Sequence, residues 1–322
     1  MPFNIAVIGL RQLGVSAALA LAEKNERIQF IGWDPDVDTW PAAEQQKVFR
    51  NIAKNIRSAL KDAHLVILSL LPDDLKNYAE ELGKLITQDM IVINITNLQN
   101  LTAKWIQEHR LDPMHYISLL PTLNPTFVLS NDFDLNKPHA DLFKEGLIYI
   151  IDPLGAQNAV LDLAVDVCVL LGGKPILADP IEVDGLICAN LLLPQLGAAA
   201  LMSAVTEQPS WREGQGIAGR ALASSTSPLQ DAVDAGDFSQ NIYHQRGHLV
   251  RLTNDLINRL IEFRDVMSDG DSDALEEKMR AAVNLRAEWI AERSSPLPAR
   301  VLNTSIPDEK QALKRFLQLK NA

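Results

Sequence analysis

Gly9 and Gly14 bracket a turn, Gly9-Leu-Arg-Gln-Leu-Gly14, between the apolar run Asn4-Ile-Ala-Val-Ile8 and the small-residue segment Val15–Ala22. A strand, a glycine turn and a helix in that order make a cradle for phosphate. Glycine lets the backbone come close, and the unpaired N–H groups of a helix start attract an anion. A second apolar run, Ile28–Trp33, ends on Asp34, about twenty residues past Gly14. A carboxylate there accepts hydrogen bonds from a ribose 2′-hydroxyl. The spacing therefore points to a dinucleotide, NAD or NADP, with Asp34 favouring NAD. Gly9, Arg11, Gln12, Leu13, Gly14 and Asp34 are the residues expected to hold it. Arg11 stands where the second glycine of G-x-G-x-x-G belongs, and its charge either repositions the phosphates or its bulk obstructs them.

Alternating strands and helices must position this turn. Strand patterns continue at His64–Leu70, Met90–Ile95, His115–Leu119, Leu147–Ile151 and Pro175–Leu177. Helical stretches lie at Ala42–Leu60, Pro72–Ile86 and Leu101–Arg110, with another running through Leu171 and stopped by Gly172-Gly173. Pro72, Asp73 and Asp74 suit the first turn of their helix, since proline needs no N–H partner there and acids complement the helix dipole. The alternation predicts an α/β fold, a doubly wound and mostly parallel Rossmann sheet over residues 1–179. Beyond Asp179 the strand signals stop. Pro180–Val205, Gly247–Met267 and Ala274–Arg293 are helical in pattern, which predicts an all-helical C-terminal domain over 180–322. Pro296-Leu-Pro298 breaks the chain within a tail from about residue 294, before a basic helix at Pro307–Lys320. That helix reads either as a clasp on a partner subunit or as a loosely held tail.

Composition removes several classes of function. The net charge of −11 offers no basic face for nucleic acid. Cys168 and Cys188 are the two cysteines; both sit in apolar surroundings and suit a reducing cytoplasm. No basic segment precedes the first apolar run, so a signal peptide is not expected. Leu186–Val205 carries no charge and is long enough to span a bilayer, but Asn190, Pro194 and Gln195 interrupt it. It reads as a helix covered in the core of the helical domain or in a homodimer interface, with no membrane partner. His244 and His248 lie four apart, which would put them on one face of a helix, yet no carboxylate spacing completes a metal site. Asn124 follows the His115–Leu119 strand at the carboxyl end of the sheet, where ligands bind in such folds. With Thr122 and Thr126 it either hydrogen-bonds a small carbonyl substrate or serves the turn Thr-Leu-Asn-Pro.

Two further segments stand out: Asp62-Ala-His-Leu-Val-Ile-Leu-Ser-Leu-Leu-Pro72, and Arg220-Ala-Leu-Ala-Ser-Ser225 followed by Ser227-Pro228. They are similar to the D-L-V-I-L-A-T-P and T-R-I-A-S-S-D-P of the prephenate and arogenate dehydrogenases of tyrosine biosynthesis, which residues 3–293 resemble in layout. The resemblance implies an NAD(P)-dependent oxidoreductase acting by oxidative decarboxylation on a small prephenate-like substrate, and a homodimer built through the helical domain. It implies that Leu71 and Pro72 border the cofactor, that Asn97 lies by the nicotinamide, and that Asn124 and Arg220 face the substrate. The departures fall at the chemistry. Leu120 replaces the histidine of H-P-M-A-G, while Asn97 and Gln99 replace the serine and lysine of D-V-G-S-V-K. Leu192 and Val183 replace the histidines of S-H-L-P-H and H-D. A positioned base is worth about 10²–10⁴-fold in rate, and leucine cannot supply one. The alternative implied is a non-catalytic or re-purposed homologue that binds or senses another small molecule.

Overall fold

β1 (Phe3–Ile8) is buried on both faces, as a central parallel strand must be. Phe3, Ile5 and Val7 point into one apolar layer and Ala6 and Ile8 into the other. This computed structural model describes residues 2–96, 99–109, 115–128, 134, 137–152, 154–229, 235–293 and 306–318. After β1 come α1 (Gln12–Ala22), β2 (Ile28–Trp33), α2 (Trp40–Gln45), β3 (Phe49–Ile52), α3 (Ile56–Leu60), β4 (Leu65–Leu68) and α4 (Pro72–Leu85). Then follow β5 (Ile91–Asn94), α5 (Gln99–Glu108), β6 (Tyr116–Pro121), β7 (Leu147–Ile151), α6 (Asn158–Leu170) and β8 (Lys174–Ala178).

Among the described residues these strands form one eight-stranded sheet of order β3-β2-β1-β4-β5-β6-β7-β8. Every pairing is parallel except β6 with β7. The order reverses between β1 and β4, so a crevice opens beyond their carboxyl ends. One apolar layer joins β1 to α1 and α6; the other joins it to α3, α4 and α5.

The sequence reads Ala42–Leu60 as one helix, and the structure divides it. Lys47 takes a left-handed conformation at φ 57°, which ends α2, and β3 then pairs with β2 at the sheet edge. Asn55 restarts a helix by accepting the Ser58 N–H on its side chain at 2.9 Å. An edge strand with Arg50 and Asn51 exposed lacks the apolar alternation that would announce it.

The remaining helices are α7 (Pro180–Ile187), a π-helical turn at Cys188–Leu192, α8 (Leu193–Thr206), α9 (Trp211–Gly214), α10 (Arg220–Thr226), α11 (Ala235–His244), α12 (Arg246–Asp269), α13 (Ser272–Arg293) and α14 (Glu309–Gln318). The chain divides into one unit of residues 1–184 and 300–322 and another of residues 185–299, with the boundary inside α7. Pro180–Thr206 is long and apolar enough to cross a membrane by length and composition, and 28% of its most apolar window is buried. His244 closes α11 while His248 belongs to α12, so the two do not share one helix.

The expected division at 179/180 therefore needs correction for its tail. α14 returns to the first unit and packs on α6. Ala312 and Phe316 are fully buried, and the Phe316 ring lies 4.7 Å from that of Phe3. Lys24 in α1 reaches Glu309 at 3.1 Å. Asp166, buried in α6, accepts from Arg315 Nε at 3.0 Å and from Nη2. The helix is thus a clasp on its own chain, neither a loose tail nor an arm on another subunit.

Burial pushes the Asp166 carboxyl above the usual carboxylate range, although the Arg315 guanidinium pulls it down. Arg315→Met leaves that carboxylate without its cation and should cost about 3 kcal/mol at neutral pH. The folded state then holds the Asp166 proton more tightly than the unfolded chain, so stability falls as pH rises through that window. The deficit against wild type should accordingly narrow on acidification, which urea midpoints at about pH 7 and about pH 5 would measure.

Candidate functional site

The glycine turn between β1 and α1 is pressed against the β4–α4 turn. Gly9 sits at φ 111°, and a Cβ there would stand 2.3 Å from the Ser69 carbonyl oxygen. A Cβ on Gly14 would stand 2.2 Å from the Gly9 carbonyl oxygen. Both positions exclude any side chain. The turn delivers the chain into α1, whose N-cap Arg11 makes no side-chain cap and whose first turn carries no acid. That leaves an uncapped helix start aimed into the crevice, suited to an anion. Gln12 sends its carboxamide to the Lys137 carbonyl at 3.1 Å, so it offers an anion its backbone rather than its side chain. Leu13 is half-buried against the core. Leu71 and Pro72 begin α4 directly across the crevice, with Pro72 buried.

Asp34 closes β2 beside this turn but does something other than wait for a ligand. It is 2% exposed, and its two carboxylate oxygens accept the N–H of Leu10 at 2.6 Å and of Asp36 at 2.9 Å. Its backbone carbonyl accepts from the Trp40 indole at 3.0 Å. Burial raises its carboxyl above the usual range, against the pull of those N–H donors and Arg11. Asp34 fastens the glycine turn to the end of β2.

Two residues on, Asp36 is open to solvent and pairs with Arg11 at 3.2 Å. Arg11 thus swings towards β2. Asp74, in the first turn of α4, is raised by its own burial and then by the charges of Asp34, Asp36 and Asp73, while Arg11 lowers it. Sequence reading passed over Asp36 and gave Asp74 only its place in the first turn of α4; the signal for Asp36 is the Asp34-Pro-Asp36 spacing at a strand end.

Beyond β4, the ends of β5 and β6 carry a network of neutral polar groups that bond one another. Asn94 closes β5, donating to Ser118 Oγ at 3.1 Å and accepting the Thr96 N–H at 3.2 Å. The Tyr116 hydroxyl lies 2.9 Å from the same Ser118 oxygen, and burial pushes its phenol up. This network fixes the exit of β5. Asn97 lies outside the described residues, and of Gln99 only the backbone is described.

Asn124 is 6% exposed and spends its side chain on its own loop. It accepts from the Thr126 N–H and hydroxyl at 3.1 and 2.8 Å and donates to the Asp141 carbonyl at 3.1 Å. The turn reading of Thr-Leu-Asn-Pro describes it, and a substrate contact does not. Leu120 is half-buried near the end of β6. Val183 and Leu192 are buried. Arg220 stands exposed at the start of α10 in the second unit, with no ion pair among the described residues. The first unit therefore gathers Gly9, Arg11, Gln12, Leu13, Gly14, Asp34, Leu71 and Pro72 around one crevice.

No family model and no curated protein sequence matches this chain. Solved structures do. Prephenate dehydrogenase from A. aeolicus, in complex with hydroxyphenyl propionate and NAD+, aligns with a TM-score of 0.76 at 14% identity. That alignment covers 90% of this chain and 99% of that one. Synechocystis arogenate dehydrogenase aligns with a TM-score of 0.68 at 16% identity, over 89% of this chain and 100% of the other. The chain has the prephenate dehydrogenase fold. In this prephenate dehydrogenase fold the Rossmann sheet and the helical region occur in the order the motifs implied.

Gly9→Ala should lower stability by about 3 kcal/mol, because backbone must move as well as accept a left-handed φ. Gly155→Ala is the matched control, with φ 80° but nothing within 4 Å of the added carbon. It should cost about 1 kcal/mol. Equal losses in chemical denaturation would mean that the Ser69 contact does not constrain the turn.

Proposed function

We propose that this chain is an oxidoreductase that binds a nicotinamide dinucleotide in the β1–β4 crevice and acts on a small prephenate-like molecule. One observation carries the reading: the turn is bracketed by Gly9 and Gly14, neither of which has room for a side chain, and it presents the uncapped start of α1. The backbone N–H groups of Gln12, Leu13 and Gly14 would receive the pyrophosphate, and Leu71 and Pro72 would border the dinucleotide across the crevice. When bound, the nicotinamide would supply the hydride acceptor. The neighbours' names favour a prephenate-like substrate.

A second reading has its own support. Leu120 supplies an apolar, half-buried side chain where the resemblance implies a base. A homologue that binds the dinucleotide and senses a small molecule without turning it over would have that property. Titration with NADH and NADPH, followed by nicotinamide fluorescence and thermal shift, tests the shared premise. Saturable binding at roughly micromolar affinity is expected; absence of binding to both retires both readings. Prephenate oxidation by wild type, or its appearance in Leu120→His combined with Gln99→Lys, supports the enzyme; binding without turnover in either supports the sensor.

The partner proposed is a second copy of the chain, through the helical unit. Among the described residues of α12 only Leu249 is buried. Leu260, Val283, Leu285 and Trp289 are at least 49% exposed, with Ile257, Met267 and Met279 also uncovered. Amphipathic helices gain most of their stability from burying their apolar side, and the described residues leave these side chains uncovered. A C2 dimer supplies a cover with one repeated patch. Light scattering after size exclusion should give a dimer at roughly micromolar concentration, and Val283→Glu with Trp289→Glu should give a monomer of lower melting temperature. A monomeric wild type would overturn the proposal.

A further inference from the structure

Two aspartates at the end of β2 are held in opposite ways. Asp34 is buried, and each of its oxygens already accepts a backbone N–H. Asp36 has a 38% exposed side chain; one oxygen caps the following turn through the Asp38 N–H at 3.1 Å, and the other meets Arg11 Nη2 at 3.2 Å. Arg11 therefore joins the phosphate-side turn to the strand end where an adenosine ribose lies in this architecture. Asp74 bears on the same group of charges from the first turn of α4.

We propose that the Arg11–Asp36 pair, rather than Asp34, selects the dinucleotide, and that it selects NAD(H) over NADP(H). The inference rests on the binding reading of the preceding subsection and adds the residue that sets its specificity. A ribose bearing free hydroxyls donates hydrogen bonds, and Asp36 is the solvent-open carboxylate at the strand end able to accept them. A 2′-phosphate adds about −1.5 to −2 charge and wants a guanidinium fork. Here Arg11 already pairs with Asp36, and Asp34, Asp73 and Asp74 add acidic groups nearby that repel a phosphate. Arginine in place of the second glycine is then no obstruction to the pyrophosphate, because its side chain is held at the ribose end. Removing Asp36 would do two things together: delete a repelling carboxylate and free Arg11 to take a phosphate.

The experiment compares the affinities of NADH and NADPH, by fluorescence titration, in four proteins. Wild type should prefer NADH by at least about tenfold, which is 1.4 kcal/mol. Asp36→Ala should lower that preference at least about tenfold, chiefly by gaining NADPH, with a steeper loss of NADPH binding as salt rises. Asp34→Asn should keep the wild-type preference, and Arg11→Gln with Asp36→Ala should lose the NADPH gained. The apo melting temperature of Asp36→Ala should stay within about 2 °C of wild type, since an exposed pair contributes little to stability. An unchanged preference in Asp36→Ala, a shift caused by Asp34→Asn instead, or a gain that persists without Arg11 would overturn the selection by this pair while leaving dinucleotide binding intact. Wild type that binds neither nucleotide would overturn the binding reading and this inference with it.

Discussion

Everything at the crevice depends on the absence of two β-carbons. With the Ser69 carbonyl oxygen 2.3 Å from where a Gly9 Cβ would be, the turns after β1 and β4 touch backbone to backbone. That approach sets where α1 begins and how α4 faces it, and so decides which N–H groups and which acids look into the gap. Gly14 repeats the condition one turn later against Gly9 itself. Asp34 then bolts the turn to β2 by accepting the Leu10 N–H. The constraint is steric first and electrostatic second, since charges act only on what the close packing has already put in place.

The parts of this fold that were legible in the sequence are those whose residues face a single environment. β1, β4 and the other central strands are apolar on both faces, and their runs announce them. The glycines were legible because nothing else fits. β3 was not, because an exposed edge strand carrying Arg50 and Asn51 has no alternating pattern to read. The seat of α14 was hidden for a different reason. An amphipathic basic helix looks the same whether its apolar side meets its own chain or another, and the one clue was Asp166, an acid on the buried side of an apolar helix.

The site itself divides along similar lines. Motif spacing located the crevice but not how the acid at the end of β2 is held there. Spacing reports position along a strand, while availability depends on which backbone N–H groups reach the carboxylate first, and that is a tertiary fact. Asn124 misleads in the same way: its type and place suit a ligand, yet Thr126 and the Asp141 carbonyl occupy it. Departures from the resemblance, such as Leu120 at the end of β6, were legible at once because they are changes of residue type.

The packing of Phe316 on Phe3 has a consequence for how the molecule is made. A ribosome releases β1 well before α14, yet one covers the other. Until α14 has emerged, the core face of that strand lacks the ring that seals it. Long-range pairings of this kind are slow to form and leave apolar surface open while they wait. The nascent chain therefore carries a gap in the packing of β1 until α14 arrives to close it.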